Sequence, residues 1–194
     1  MDERERLILP YIKGKKILDL GCGDTRDRFL HNFISKNSSY VLGVEIDEER
    51  AKKLRDKGFN VIVGNAETLD LNQCFDVIVA GDLIEHLNNP GLFLESIKKH
   101  LKQNGIIIIN TPNIYSINLL LRGLIKLGNV KMFPEHTMGF NEYLLIELLR
   151  RHKIKVIKII YFSHKEKTLK SIIIRFLSFF SKKWHENIMV ICKK

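Results

Sequence analysis

Short runs of branched aliphatic residues alternate along this chain with segments whose apolar positions recur every three or four residues. The runs suit buried strands and the recurrence suits amphipathic helices, so their alternation predicts βαβ units around a mostly parallel sheet. Lys15–Leu20 reads as a strand that stops at Gly21. Asp24 or Thr25 can cap a helix to about Ser35, with Phe29, Phe33 and Ile34 on its apolar side. Tyr40–Ile46 reads as a second strand, followed by a helix that Asp47 caps, Lys57 ends and Gly58 closes. Asn60–Val63 and Phe75–Ala80 are the third and fourth strands. Pro90 opens a helix over Gly91–Lys102, and Asn104-Gly105 turns the chain into a fifth strand, Ile106–Asn110.

Beyond Pro112 the alternation loosens. Ile114–Phe133 reads as an inserted apolar helix or helix pair. Asn141 caps a helix to His152, Ile154–Phe162 is a sixth strand, and Lys167–Lys183 is a second inserted helix before a last strand, Ile188–Cys192. We expect one domain over residues 1–194 with helical insertions near 114–133 and 164–184.

The 194 residues, 45% hydrophobic and 28% charged, suit one globular domain rather than a disordered chain. Cys22, Cys74 and Cys192 are far apart and match no zinc spacing, which predicts reduced thiols and a cytoplasmic setting. The charged start Met1–Arg6, with no apolar run behind it, predicts no secretion signal. Arg122 and Lys126 interrupt the greasiest stretch, so no membrane span is expected. Charge divides the chain: residues 1–97 hold 13 Lys and Arg against 17 Asp and Glu, net −4, whereas residues 98–194 hold 19 against 5, net +14. Uniform basicity would suggest general affinity for nucleic acid, but this asymmetry suggests a division of labour.

The most informative chemistry follows the first strand. Gly21 and Gly23 let the backbone turn sharply there, and their N–H groups beside a helix start are expected to form an anion-accepting nest. A dinucleotide fingerprint needs a third glycine, but Arg26 stands in that place, which disfavours a nicotinamide-dependent oxidoreductase. The turn suits a smaller anion, such as an amino acid's carboxylate, while Asp19 at the strand end can balance an ammonium group. Glu45 ends the second strand 24 residues after Gly21, where an acid accepts hydrogen bonds from two ribose hydroxyls. Asn65, in Asn65-Ala66-Glu67, could accept from an adenine amino group and donate to a ring nitrogen.

Together ILDLGCG, VEID, GNAE, FDVIVAGDLIEHL and LKQNGIIIINTPN resemble the class I S-adenosylmethionine-dependent methyltransferases over residues 10–162 and the last strand. The resemblance implies a doubly wound, mostly parallel seven-stranded Rossmann-like α/β sheet with an antiparallel last strand, and S-adenosyl-L-methionine as cofactor. It implies a cofactor site of Asp19, Gly21, Cys22, Gly23, Glu45, Ile46, Asn65 and Ala66, with Gly81 and Asp82 near the methionine end. Asn65 is a departure, since many relatives carry Asp there.

Thr111-Pro112-Asn113, Pro134–Thr137 and Phe140 look like the branch that acts on small molecules, such as ubiquinone-pathway O-methyltransferases and sugar or lipid methyltransferases. No nucleic-acid recognition signature appears. A hydroxyl acceptor needs a base, for which His86 and His136 are the candidates; either could instead serve only to bond a loop carbonyl. Asp82, Glu85 and His86 at i, i+3 and i+4 would share a helical face able to ligate a divalent cation, as a similar cluster with Glu first does in some ubiquinone-pathway relatives. A partner subunit that binds the cofactor without catalysis is the alternative to an enzyme.

In the second insertion Leu169, Ile172, Ile173, Phe176, Leu177 and Phe180 recur at helical spacing, with Lys170, Arg175, Lys182 and Lys183 off that stripe. Such a helix suits an anionic membrane or a lipid-linked acceptor, although the stripe could also pack on the protein's own sheet. Leu119, Leu120, Leu121, Leu124, Ile125 and Leu127 of the first insertion could roof a greasy pocket. Each cation near an anionic surface contributes about 1 kcal/mol. The protein should therefore sediment with anionic but not neutral vesicles, and less as salt rises; indifference to both vesicle types would mean the stripe is buried.

Overall fold

The computed structural model describes residues 1–23, 30–125, 135–163 and 181–194. Seven strands form one sheet: β1 (Lys16–Leu20), β2 (Tyr40–Glu45), β3 (Val61–Val63), β4 (Phe75–Gly81), β5 (Leu101–Pro112), β6 (Lys155–Phe162) and β7 (Asn187–Lys193). Their order is β3-β2-β1-β4-β5-β7-β6. β1 to β5 pair in parallel, and β7 runs antiparallel to both β5 and β6, as the sequence predicts. The winding reverses between β1 and β4, so a crevice opens there at the carboxyl ends of the strands.

The strands are almost continuously apolar because both faces of the sheet are covered. Leu18, Leu20, Ile78, Ile107 and Val190 point to one side, where α4 (Pro90–Lys99) contributes Phe93, Leu94 and Ile97 and α6 (Glu142–Arg151) contributes Leu145 and Leu149. Ile17, Val77, Val79, Ile108 and Met189 point to the other, against Ile8 and Ile12 of α1 (Glu3–Ile12) and Ile34 of α2 (Leu30–Asn37). The remaining helices are α3 (Glu48–Asp56) and α5 (Ile117–Ile125). Asp47 and Asn141 cap α3 and α6, and Asn89 caps α4 ahead of Pro90.

Three departures from the sequence reading have local causes. Helix α1 was not expected, yet Asp2 and Glu5 bond each other's backbone N–H groups at 2.7 Å, the reciprocal cap that their three-residue spacing permits. Helix α4 stops at Lys99, not Lys102, because His100 turns inward. Its Nδ1–H donates to the Ser96 carbonyl at 2.9 Å, and its Nε2 accepts from the Leu71 N–H at 2.8 Å. Leu101 then pairs with Phe75, and a register shift before Val77 absorbs the next residues, so β5 begins earlier than predicted. Lys183, expected to be available to a membrane, lies 2.8 Å from the Glu142 carboxylate and over the Tyr143 ring.

The Asp24 or Thr25 cap, Arg26, and the Leu169–Phe180 stripe with Lys170 and Arg175 lie outside the described residues, as does Leu127. Among the described residues, no helix is long and apolar enough to cross a membrane.

Candidate active site

A cleft of about 610 Å³ lies over the carboxyl ends of β1, β2 and β4. Its floor is the turn after β1. Gly21 adopts φ 70°, which favours glycine, and any side chain there would press on Leu83 Cδ1 at 2.9 Å. Gly21 and Cys22 both donate their N–H groups to the Val44 carbonyl, at 2.9 and 3.3 Å. That corrects the expected nest in part: the Gly21 N–H, together with that of Cys22, is spent on fastening the turn to β2. Cys22 is buried, and burial beside Asp19 and Glu45 holds its thiol far above the ordinary range, so it is no nucleophile.

Fastening the turn brings it against Glu45. A Cβ built on Gly23 would stand 2.1 Å from Glu45 Oε2, so only glycine lets the backbone pass this carboxylate. Glu45 is buried at the end of β2, and its Oε1 accepts the Asp47 N–H at 3.0 Å. Beside it Ile46 is 68% exposed, a bare apolar wall, and Ala66 closes the corner. Asn65 is arranged differently from expectation. Its Oδ1 accepts the Glu67 N–H at 2.9 Å, which leaves the amide hydrogens rather than the oxygen for a ligand. Glu67 in turn accepts from the N–H groups of Asn88 and Asn89, which ties the loop after β3 to the loop before α4.

These residues fit an adenosyl sulfonium cofactor. The cradle at Gly23 holds backbone, with no room for a side chain, next to a buried acid able to take two hydroxyls, and the volume falls in the range of ordinary ligand sites. Asp19, Gly21, Cys22, Gly23, Glu45, Ile46, Asn65, Ala66, Gly81 and Asp82 all line this one cleft, as the sequence reading groups them.

The far end of the cleft departs more. Asp82 has a left-handed backbone, φ 52°, just before a three-residue 3₁₀ turn, Ile84–His86, so Asp82, Glu85 and His86 do not share a helical face. Asp82 is held by Asn110 Nδ2 and by Arg4 Nη1, the latter at 2.7 Å. Arg4 reaches in from α1 and was missed by sequence reasoning. Its signal would have been the Asp2–Glu5 cap, which anchors the helix that carries it.

His136 stands where Asp82 was expected, and a ring nitrogen of His136, a ring nitrogen of His86 and a carboxylate oxygen of Glu85 all lie within 4.8 Å of one another. The loop carrying it is pinned on the 3₁₀ turn: Thr137 N–H and Oγ1 donate to the Glu85 carbonyl, and Oγ1 also reaches the Leu87 carbonyl at 2.8 Å. The imidazoles of His86 and His136 meet edge to face at 4.7 Å. His86 Nδ1 lies 2.9 Å from the Glu135 carbonyl, which can only accept, so the ring hydrogen sits on Nδ1 and the Nε2 lone pair is open. Burial and the neighbouring His86 lower the pKa of His136. Glu85, hydrogen-bonded by Thr111 at 3.0 Å, has its pKa raised to about 7 by burial and by the negative charge of Asp82.

A family model of a methyltransferase domain matches residues 12–172. The chain is 30% identical to the mitochondrial ubiquinone biosynthesis O-methyltransferase of Rattus norvegicus over 149 residues, 71% of this chain and 42% of the relative. It is 30% identical to the ubiquinone biosynthesis O-methyltransferase of Bradyrhizobium diazoefficiens over 117 residues, 57% of this chain and 45% of the relative. The matched region thus spans less than half the length of these two curated relatives. Among solved structures, a SAM-dependent methyltransferase from Archaeoglobus fulgidus is similar in fold, with a TM-score of 0.69 and 22% identity over 98% of this chain and 91% of that one.

Two substitutions test the cleft. Glu45→Ala should weaken S-adenosylhomocysteine binding by about 1–3 kcal/mol, because the cofactor's buried hydroxyls would lose their acceptor. Gly23→Ala should do at least as much harm by displacing the Glu45 carboxylate. Calorimetric titration reads both; wild-type affinity in either folded variant would remove the assignment.

Proposed function

Because this chain belongs to the class I S-adenosylmethionine-dependent methyltransferases, we propose that it transfers a methyl group to a hydroxyl of a small acceptor. When bound, S-adenosylmethionine supplies an electrophilic methyl group on a sulfonium. The chain's own residues supply the rest. Glu45 would accept from the ribose hydroxyls, Ile46 and Ala66 would flank the base, and the amide hydrogens of Asn65 would serve its ring nitrogens; all four residues line the cleft. Asp19, which also lines the cleft, would balance the ammonium group.

The observation that favours oxygen as the acceptor is the paired imidazoles at the lip of the cleft. An alcohol or phenol must lose a proton as its oxygen gains the methyl, and a positioned imidazole takes it. His86 is prepared for that task because the Glu135 carbonyl fixes its tautomer and leaves Nε2 to accept. Burial and the neighbouring His86 lower the pKa of His136, which favours its neutral form, and its ring lies against that of His86. Alignment of acceptor and methyl carries much of the remaining acceleration.

A lipophilic acceptor is supported by apolar surface at the same edge of the sheet, where Tyr115 and Leu120 are exposed beside and on α5. The two relatives named for O-methylation in ubiquinone biosynthesis point the same way. Peripheral contact with an anionic membrane belongs to this reading and rests on the second insertion.

Labelled S-adenosylmethionine with phenolic, glycosidic and lipid extracts identifies the acceptor. On that acceptor, His86→Ala or His136→Ala should lower turnover by about 10²–10⁴-fold with little change in cofactor affinity. Unaltered turnover in both variants would leave alignment as the whole of catalysis and overturn the base. Turnover should also survive exhaustive chelation; its loss would place a divalent cation among Glu85, His86 and His136 instead.

A further inference from the structure

Beneath the glycine turn lies a buried pair of which only the acid, Asp19, has a task in the reading above. Asp19 at the end of β1 and His31 on α2 are 3% and 1% exposed, and His31 Nδ1 is 2.8 Å from Asp19 Oδ2. A carboxylate oxygen accepts, so Nδ1 carries the hydrogen. Both residues line the cleft.

The surrounding structure is shaped to seat this imidazole. Gly43 lies in the interior of β2, directly across from Asp19 in the parallel register. Glycine weakens a strand and in such a position marks close approach of another group. Here the group is identifiable. A Cβ on Gly43 would stand 2.8 Å from His31 Cε1 and 2.6 Å from Cys22 Sγ. The Phe59 ring meets the imidazole edge to face at 5.3 Å. Sheet, turn and aromatic ring together therefore hold one histidine against one acid.

We propose that His31 is a positioning residue for the cofactor, fixing the Asp19 carboxylate so that its second oxygen is presented to the ammonium group of S-adenosylmethionine. The proposal rests on the reading that Asp19 meets that ammonium. A strand-end carboxylate otherwise turns about its last torsion, and a hydrogen bond from a ring locked by packing removes that freedom. The bond occupies Oδ2 and leaves Oδ1 for the ligand. Gly43 then has a reason in the sequence that strand formation alone does not provide.

Calorimetry with two probes separates this role from mere support of the fold. S-adenosylhomocysteine carries the amino-acid tail, and 5′-methylthioadenosine carries the same nucleoside without it. His31→Leu should weaken S-adenosylhomocysteine about tenfold, the loss of one hydrogen bond of ordinary strength to a charged group, and leave 5′-methylthioadenosine unchanged. His31→Asn, whose amide nitrogen falls where Nδ1 was, should restore most of the affinity. His31→Gln, polar but with its amide one bond further out, should behave like Leu and serves if Leu fails to fold. Equal losses for both probes, or no loss for either, would overturn the proposal. Asp19→Asn checks the premise. If it too spares S-adenosylhomocysteine, the reading of Asp19 falls and His31 with it; if it weakens that probe alone while the His31 variants do not, only the role of His31 falls.

Discussion

Val44 offers its carbonyl oxygen to two N–H groups of the turn that follows β1, so the first two strands stay fastened beyond their last paired residues. Glycine at 21 makes the sharp turn possible, and glycine at 23 lets the backbone pass the Glu45 carboxylate. From that fastening the cleft takes its shape. Glu45 has one oxygen against the turn and the other on the Asp47 N–H, Cys22 is sealed beneath, and Asp19 and His31 close the floor. A side chain at Gly21 would strain the turn and press on Leu83, and one at Gly23 would displace the acid.

The charge of the cleft makes sense of the division seen along the chain. A protein of net charge +10 gathers Asp19, Glu45, Glu67 and Asp82 around one cavity, with Arg4 and Arg50 among its cations. A ligand carrying both a sulfonium and an ammonium group suits such a site, and a pyrophosphate does not. Arg4 tempers the negative end by pairing with Asp82. Of the paired imidazoles, His86 lines the same cleft and His136 lies edge to face against it.

What sequence alone reveals here is whatever depends on neighbours along the chain. The strand pattern and the caps at Asp47 and Asn141 follow from short-range patterns, although β5 begins earlier than they put it, and the ten residues that the family resemblance grouped line one cleft. The failures lie partly in tertiary contacts and partly in local backbone geometry. The Gly21 N–H looks available until the Val44 carbonyl of β2 claims it, and the Asn65 oxygen looks open until the Glu67 N–H in its own turn takes it. Asp82 fits a helical spacing that its left-handed backbone forbids, while His136 joins Glu85 and His86 from some fifty residues away. Arg4 and His31 enter from α1 and α2, and only the Asp2–Glu5 cap and the glycine inside β2 hint at them. The inserted stripe from Leu169 to Phe180 lies outside the described residues, so its role rests on the sequence.

The central claim is that the cleft receives an adenosyl cation and not a dinucleotide. Isothermal titration of the unaltered protein with S-adenosylhomocysteine and, separately, with NAD tests it most directly. One equivalent of S-adenosylhomocysteine should bind with saturable heat and NAD should give none. Saturable NAD binding, or no binding of S-adenosylhomocysteine by folded protein, would contradict it.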